Sequence, residues 1–168
     1  SNPCYPSPTV NFIASSASLC EGSTVAFTDQ SANGATSWKW SFPGGTPASS
    51  TLQNPAIKYN TAGTYSVTLI ANNANGQGSK VRTNYITVKA APPSSIIASG
   101  TLNFCSGVIS APLSANTGAG ISYQWIKGAG NITGATSSTY TATVTGIYKV
   151  VETKTNGCTK LSNALTVT

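Results

Sequence analysis

Residues 37–45, SWKWSFPGG, constrain the fold more than any other stretch of the chain. Trp38, Trp40 and Phe42 alternate with Ser37, Lys39 and Ser41, the period of two expected of a strand with one face in a core and the other in water. Pro43-Gly44-Gly45 then ends the run. Each large aromatic calls for roughly 150–250 Å² of cover, which a second sheet packed face to face supplies. The stretch is therefore expected to be the core strand of a β-sandwich.

Two halves repeat this pattern. Cys20 and Trp40 are 20 positions apart, as are Cys105 and Trp125, and a Gly-x-Tyr follows in each half at Tyr65 and Tyr148. In the first half Val10, Phe12 and Ala14, then Val25 and Phe27, then Ile57 and Tyr59, then Tyr65, Val67 and Leu69 alternate with polar residues. Val81, Ile86 and Val88 lie on the chain returning from an Asn75-Gly76 turn. Residues 29–34 read as a polar turn and residues 46–51 as a Ser/Thr-rich loop. The second half has short apolar runs at residues 121–125, 146–150 and 165–167, with a turn at Asn156-Gly157. Between the halves, Ala90-Ala91-Pro92-Pro93-Ser94-Ser95 reads as a short, semi-rigid linker. No segment shows a 3.6-residue apolar period. The expected fold is all-β, two tandem sandwiches of about seven strands each, at residues 1–90 and 91–168.

With 39% hydrophobic and 8% aromatic residues the chain can fill real cores, although charged residues are only 7%. The net charge of +6 comes from dispersed side chains, a pattern of solvated strand faces rather than of a nucleic-acid stripe, so no nucleic-acid partner is expected. Weak attraction to an anionic polysaccharide or outer cell surface is the functional alternative. Four cysteines, Cys4, Cys20, Cys105 and Cys158, occur without a CxxC pair and without any His. That excludes a usual zinc site and favours disulfides formed in an oxidising compartment. No apolar run is long enough to span a membrane, and no charged-then-apolar signal opens the chain. It reads as a fragment of a longer secreted protein.

Catalysis is not expected. Without His the common Ser-His and Cys-His nucleophile arrangements cannot form. The carboxylates are Glu21, Asp29 and Glu152; the first two flank one candidate strand, and the third lies in the other half, so no glycosidase pair is expected. Gly128 and Gly130 lack the GK[ST] ending of a phosphate loop. No cofactor is implied. Trp38, Trp40 and Trp125 read as buried, and Tyr65 and Tyr148 as corner tyrosines bonding the backbone. Tyr85, out of phase with Ile86 and Val88, and Tyr140 are the candidate ligand-contacting aromatics. Asn131-Ile132-Thr133 has the glycosylation pattern but reads as a turn running into Gly134.

The WSFPGG loop, Asn54-Pro55 with Tyr59, the GTYSVTL strand at residues 63–69 and Tyr85-Ile86-Thr87-Val88 together resemble the polycystic-kidney-disease (PKD) domain family over roughly residues 9–90. The FPGG form with Cys20-Glu21-Gly22 upstream is similar to the variant found in secreted Bacteroidetes proteins. Residues 94–168 resemble immunoglobulin-like modules of such surface proteins, through Tyr123-Gln124-Trp125, Gly146-Ile147-Tyr148 and Asn156-Gly157-Cys158. The resemblance implies β-sandwiches acting as spacers, adhesion modules or accessory domains of secreted enzymes. Some family members bind calcium at a WDFGDG loop. Here Ser41 and Gly44 stand at its acidic positions, so no calcium site is expected. The second cysteine of antibody-type domains would fall at Val150, and Cys158 instead follows the Asn156-Gly157 turn. The expected bridges are Cys105 with Cys158 and, by elimination, Cys4 with Cys20; both read as staples, the Cys4–Cys20 loop being worth about 3 kcal/mol. The implied role is a non-catalytic extracellular spacer or adhesion module whose partners are neighbouring domains of its parent. The alternative is a carbohydrate-binding accessory region whose partner is a polysaccharide or cell-surface glycan.

Overall fold

The computed structural model describes residues 6–105, 107 and 109–168. All regular structure among them is β, with no helix. The chain divides into two compact units, Ser1–Ala90 and Ala91–Thr168.

The first unit holds β1 (Phe12–Ala14), β2 (Ser18–Cys20), β3 (Ser23–Asp29), β4 (Ser37–Ser41), β5 (Gly45–Thr46), β6 (Ser49–Ser50), β7 (Ala56–Tyr59), β8 (Gly63–Asn73) and β9 (Gly76–Lys89). One sheet runs β1-β3-β7-β5 and the other β2-β9-β8-β4-β6. Alternation decides which side chains meet between them: Phe12, Val25, Phe27, Ile57 and Tyr59 from the first, and Trp40, Val67, Leu69, Ile86 and Val88 from the second, form one buried core. Trp40 is its centre. Its ring stacks on Phe42 (centroids 5.5 Å apart) and meets Phe12 edge-on at 5.1 Å, geometries that suit the aromatic quadrupole. The expected loop at residues 46–51 contains two short strands, because the chain after Gly45 returns along β7 and then β4.

The glycines of the FPGG loop have a steric reason. Gly44 has φ +76°, and a Cβ there would lie 2.1 Å from Tyr65 Cε1. Only glycine admits the tyrosine ring, and it also adopts the left-handed backbone at little cost. Tyr65 in turn donates its hydroxyl to the Thr61 carbonyl at 2.8 Å.

The second unit holds β10 (Ile96–Ala98), β11 (Ala111–Ala115), β12 (Ile121–Lys127), β13 (Gly130–Asn131), β14 (Thr139–Ala142), β15 (Gly146–Lys154), β16 (Thr159–Leu161) and β17 (Leu165–Val167). Its sheets are β10-β11-β14 and β13-β12-β15-β16, with β17 also on β15. Ile96, Leu113, Trp125, Ala142, Tyr148 and Val150 form its core.

The same two internal bonds recur in each unit. The Trp40 indole N–H donates to the Leu52 carbonyl (2.9 Å) and that of Trp125 to the Ser137 carbonyl (2.8 Å), each 12 residues on. Tyr148 donates to the Val144 carbonyl as Tyr65 does to Thr61, each four residues back. Both tyrosines are therefore the corner residues that the sequence implied.

Candidate functional site

Tyr85 is not a free aromatic face. Its ring lies 5.8 Å from Phe12, the Arg82 guanidinium sits 4.9 Å from its centroid, and its hydroxyl accepts the Ala14 N–H at 2.9 Å. The cause is an irregularity in the β8–β9 ladder, where Tyr65 pairs with Ile86 but Val67 with Arg82. Two extra residues on β9, with Asn84 at φ 51°, bulge there, so Arg82 and Ile86 keep the same face on either side while Tyr85 lies within the bulge. Val81 on the far side of the irregularity is 54% exposed, whereas Tyr85 is turned onto the rim of the core.

Tyr140 is also half-buried. It pairs with buried Leu113 across β11, and its ring packs between Trp125 (5.7 Å) and Tyr148 (5.8 Å). It nonetheless borders a shallow open depression of about 420 Å³, with Ile132, Thr133, Ala135, Ser137, Thr139 and Thr141. Thr133 of the glycosylation pattern thus faces this depression, beside exposed Asn131.

The loop forming the depression is pinned to the core strand. The Ile132 N–H donates to the Trp125 carbonyl (2.9 Å), the Trp125 N–H to the Ala135 carbonyl (3.0 Å) and the Ala135 N–H to the Ile132 carbonyl (3.1 Å). The Gln124 amide adds a bond to the Ile132 carbonyl at 2.9 Å. Sequence reasoning singled out Tyr140 but not these hydroxyls, because Ser and Thr are too common here to stand out.

The cysteines differ from expectation. Cys20 and Cys158 are disulfide-bonded, whereas Cys105 is an exposed free thiol, so the expected Cys105–Cys158 bridge is not formed. Register explains why. Phe104 donates to the Thr168 carbonyl, and β17 pairs with the Gly146 end of β15. Cys158 bonds Lys154 at the other end of that nine-residue strand, about 25 Å away at 3.3 Å per residue. Cys4 and its expected bridge to Cys20 lie outside the described residues.

Each carboxylate has a different setting. Glu21 accepts the Ala62 N–H at 2.8 Å. Asp29 accepts the Trp38 indole (2.7 Å), the Gln53 amide (3.2 Å) and the Ser31 N–H (3.0 Å) and hydroxyl. Burial pushes its pKa up, but these donors outweigh burial and hold it below the ordinary value. Glu152 faces inward with Tyr148 and Val150, is fully buried, and neither carboxylate oxygen has a hydrogen-bond partner. Burial raises its pKa, opposed by the nearby Ser94 and Asn116 N–H groups and by Lys160, its cross-strand neighbour. Among the described residues no group of three His, Cys, Asp or Glu side chains is placed to hold a metal, and no helix is long and apolar enough to cross a membrane.

Two β-sandwiches with corner tyrosines and a tryptophan-centred core define the class. Residues 5–88 match the PKD domain model, which is half of the chain. The chain belongs to the PKD domain family. Among solved structures it is similar to carbohydrate-binding modules of the β-sandwich superfamily (16% identity, 99% of this chain and 86% of that one, TM-score 0.46). It is also similar to murine CEACAM1b (14% identity, 95% and 99%, TM-score 0.38) and to fibronectin(III)-like modules of Clostridium thermocellum CbhA (10% identity, 93% and 91%, TM-score 0.39). The comparison with curated proteins finds no match.

Proposed function

We propose that this chain is a non-catalytic extracellular module of a larger secreted or surface-attached protein, of the kind found in Bacteroidetes. It combines a PKD-like sandwich with an immunoglobulin-like one, and it acts as a spacer or adhesion element for neighbouring domains. The observation that carries this reading is that each unit closes its own core with its own indole and corner-tyrosine bonds. Such modules keep their shape without help, as a spacer requires. The disulfide-bonded cysteines fit an oxidising compartment. The carboxylates support the non-catalytic part, since Glu21 and Asp29 are taken up by local donors and Glu152 is buried without a second acid in its unit.

A second reading, a carbohydrate-binding accessory region, is favoured by the hydroxyl-lined depression beside Tyr140. The test is to incubate the purified chain with insoluble cellulose, chitin and xylan, measuring both co-sedimentation and released sugar. Neither binding nor release is expected of a pure spacer. Binding without release selects the second reading, and release of sugar that purified Asp29→Asn and Glu152→Gln variants lose overturns both.

A further inference from the structure

We propose that the depression at residues 132–141 is a binding site for a neutral saccharide; the proposal rests on the carbohydrate-binding reading and assigns that reading its surface. Its lining chemistry selects the ligand class. Thr133, Ser137, Thr139 and Thr141 present four exposed hydroxyls, Tyr140 an aromatic ring, and Ile132 and Ala135 small apolar surfaces. No charged side chain lines it. A ligand matched to this surface carries many hydroxyls and some C–H surface, and it lacks the carboxylates or sulfates that would leave water without recovering a counter-charge.

Two observations distinguish this patch from ordinary polar surface. No described residue takes up any of the four hydroxyls, so all are available to a ligand. The backbone carrying them, in contrast, is fixed. Two backbone bonds to Trp125 and the Gln124 amide hold the 132–135 turn, a third backbone bond closes the turn on itself, the Trp125 indole holds the Ser137 carbonyl, and the Ala115 N–H holds that of Ser138 at 2.8 Å. Thr139 and Thr141 stand on β14, paired to β11. Packing between Trp125 and Tyr148 holds the Tyr140 ring. Ordering costs that usually weaken binding to a loop have been met in folding. β14 is also an edge strand on this side, which leaves backbone groups of its own to the ligand.

The test is titration of the full 168-residue chain with cellohexaose, xylohexaose and mannohexaose, read by amide NMR shifts. The Thr139→Val/Thr141→Val variant removes two hydroxyls while keeping side-chain shape and β-branching. Saturable shifts confined to residues 132–141 with at least one hexaose, weakened roughly tenfold in that variant at unchanged Tm, are expected. An equal or tighter response to oligogalacturonate overturns the neutral-ligand assignment. Binding with shifts elsewhere, or with full affinity in the variant, overturns the site but keeps the carbohydrate reading. Silence with all three hexaoses overturns the site and that reading together, leaving the spacer role, and so does a response only to an extended peptide added along β14.

Discussion

The two sandwiches share a template but fill it differently. In the first, Trp40 has three aromatic neighbours, Phe12, Phe27 and Phe42, and the half-buried Asp29 carboxylate meets its donors. In the second, Trp125 has Tyr140 as its aromatic neighbour, alanines fill much of the rest, and Glu152 is buried with no hydrogen bond. The difference shows that strand alternation and two anchoring bonds suffice to set the frame, while its filling is free to vary. The first unit is packed for stability. The second carries a buried carboxylate and an open depression beside its core.

Truncating the tryptophans breaks the comparison hardest. Trp40→Ala and Trp125→Ala are each expected to cost about 3–5 kcal/mol, with Trp40→Ala at the upper end because three ring contacts are lost rather than one. Urea unfolding of the two variants, monitored by circular dichroism, measures the difference. Equal losses would mean that the aromatic cluster adds nothing beyond the burial of one indole.

Glycine substitutions sharpen it. Gly44→Ala meets both a left-handed backbone and the Tyr65 ring, and it is expected to cost about 2–4 kcal/mol. Gly134→Ala at φ +75° meets open space and should cost only about 1–2 kcal/mol. Thermal unfolding of the pair separates steric from conformational cost.

A smaller contrast lies between two neighbouring tyrosines whose rings are 5.0 Å apart. Tyr59 is fully buried with an unpartnered hydroxyl, and burial pushes its pKa to about 12. Removing that hydroxyl in Tyr59→Phe is expected to stabilise by about 1 kcal/mol, whereas Tyr65→Phe breaks the corner bond and should cost about 1 kcal/mol. Denaturant midpoints of the two variants should therefore move in opposite directions.

Much of this frame was legible in the sequence. Trp40, Trp125, Tyr65 and Tyr148 could be placed because large aromatics at a period of two, and tyrosines two residues after a glycine, leave few alternatives. Tyr85 could not be placed, since its exposure depends on an irregularity that appears only when β8 and β9 are paired. The Cys105 pairing failed for a related reason. Sequence separation does not reveal that Cys105 and Cys158 lie beyond opposite ends of β15. Glu152 was weighed only as a carboxylate of the other half, although its inward register with Tyr148 and Val150 was present in the alternation. The depression was half visible, through Tyr140, because its hydroxyls converge only when the 132–137 loop folds onto Trp125.

Hydrogen exchange of the two indole N–H groups between pH 7 and pH 3, corrected for intrinsic rates, tests most directly whether the two frames are alike but hold carboxyl groups shifted in opposite directions. The raised Glu152 pKa gives stability that is fully present below its unfolded value of 4.5 and is lost as pH rises through the folded value. The lowered Asp29 pKa gives stability that is present above 3.8 and is lost as pH falls through the folded value. Acidification should therefore raise the protection of Trp125 and lower that of Trp40, with Glu152→Gln removing the first response and Asp29→Asn the second. Parallel responses of the two indoles, or a Trp125 response unchanged in Glu152→Gln, would contradict the account.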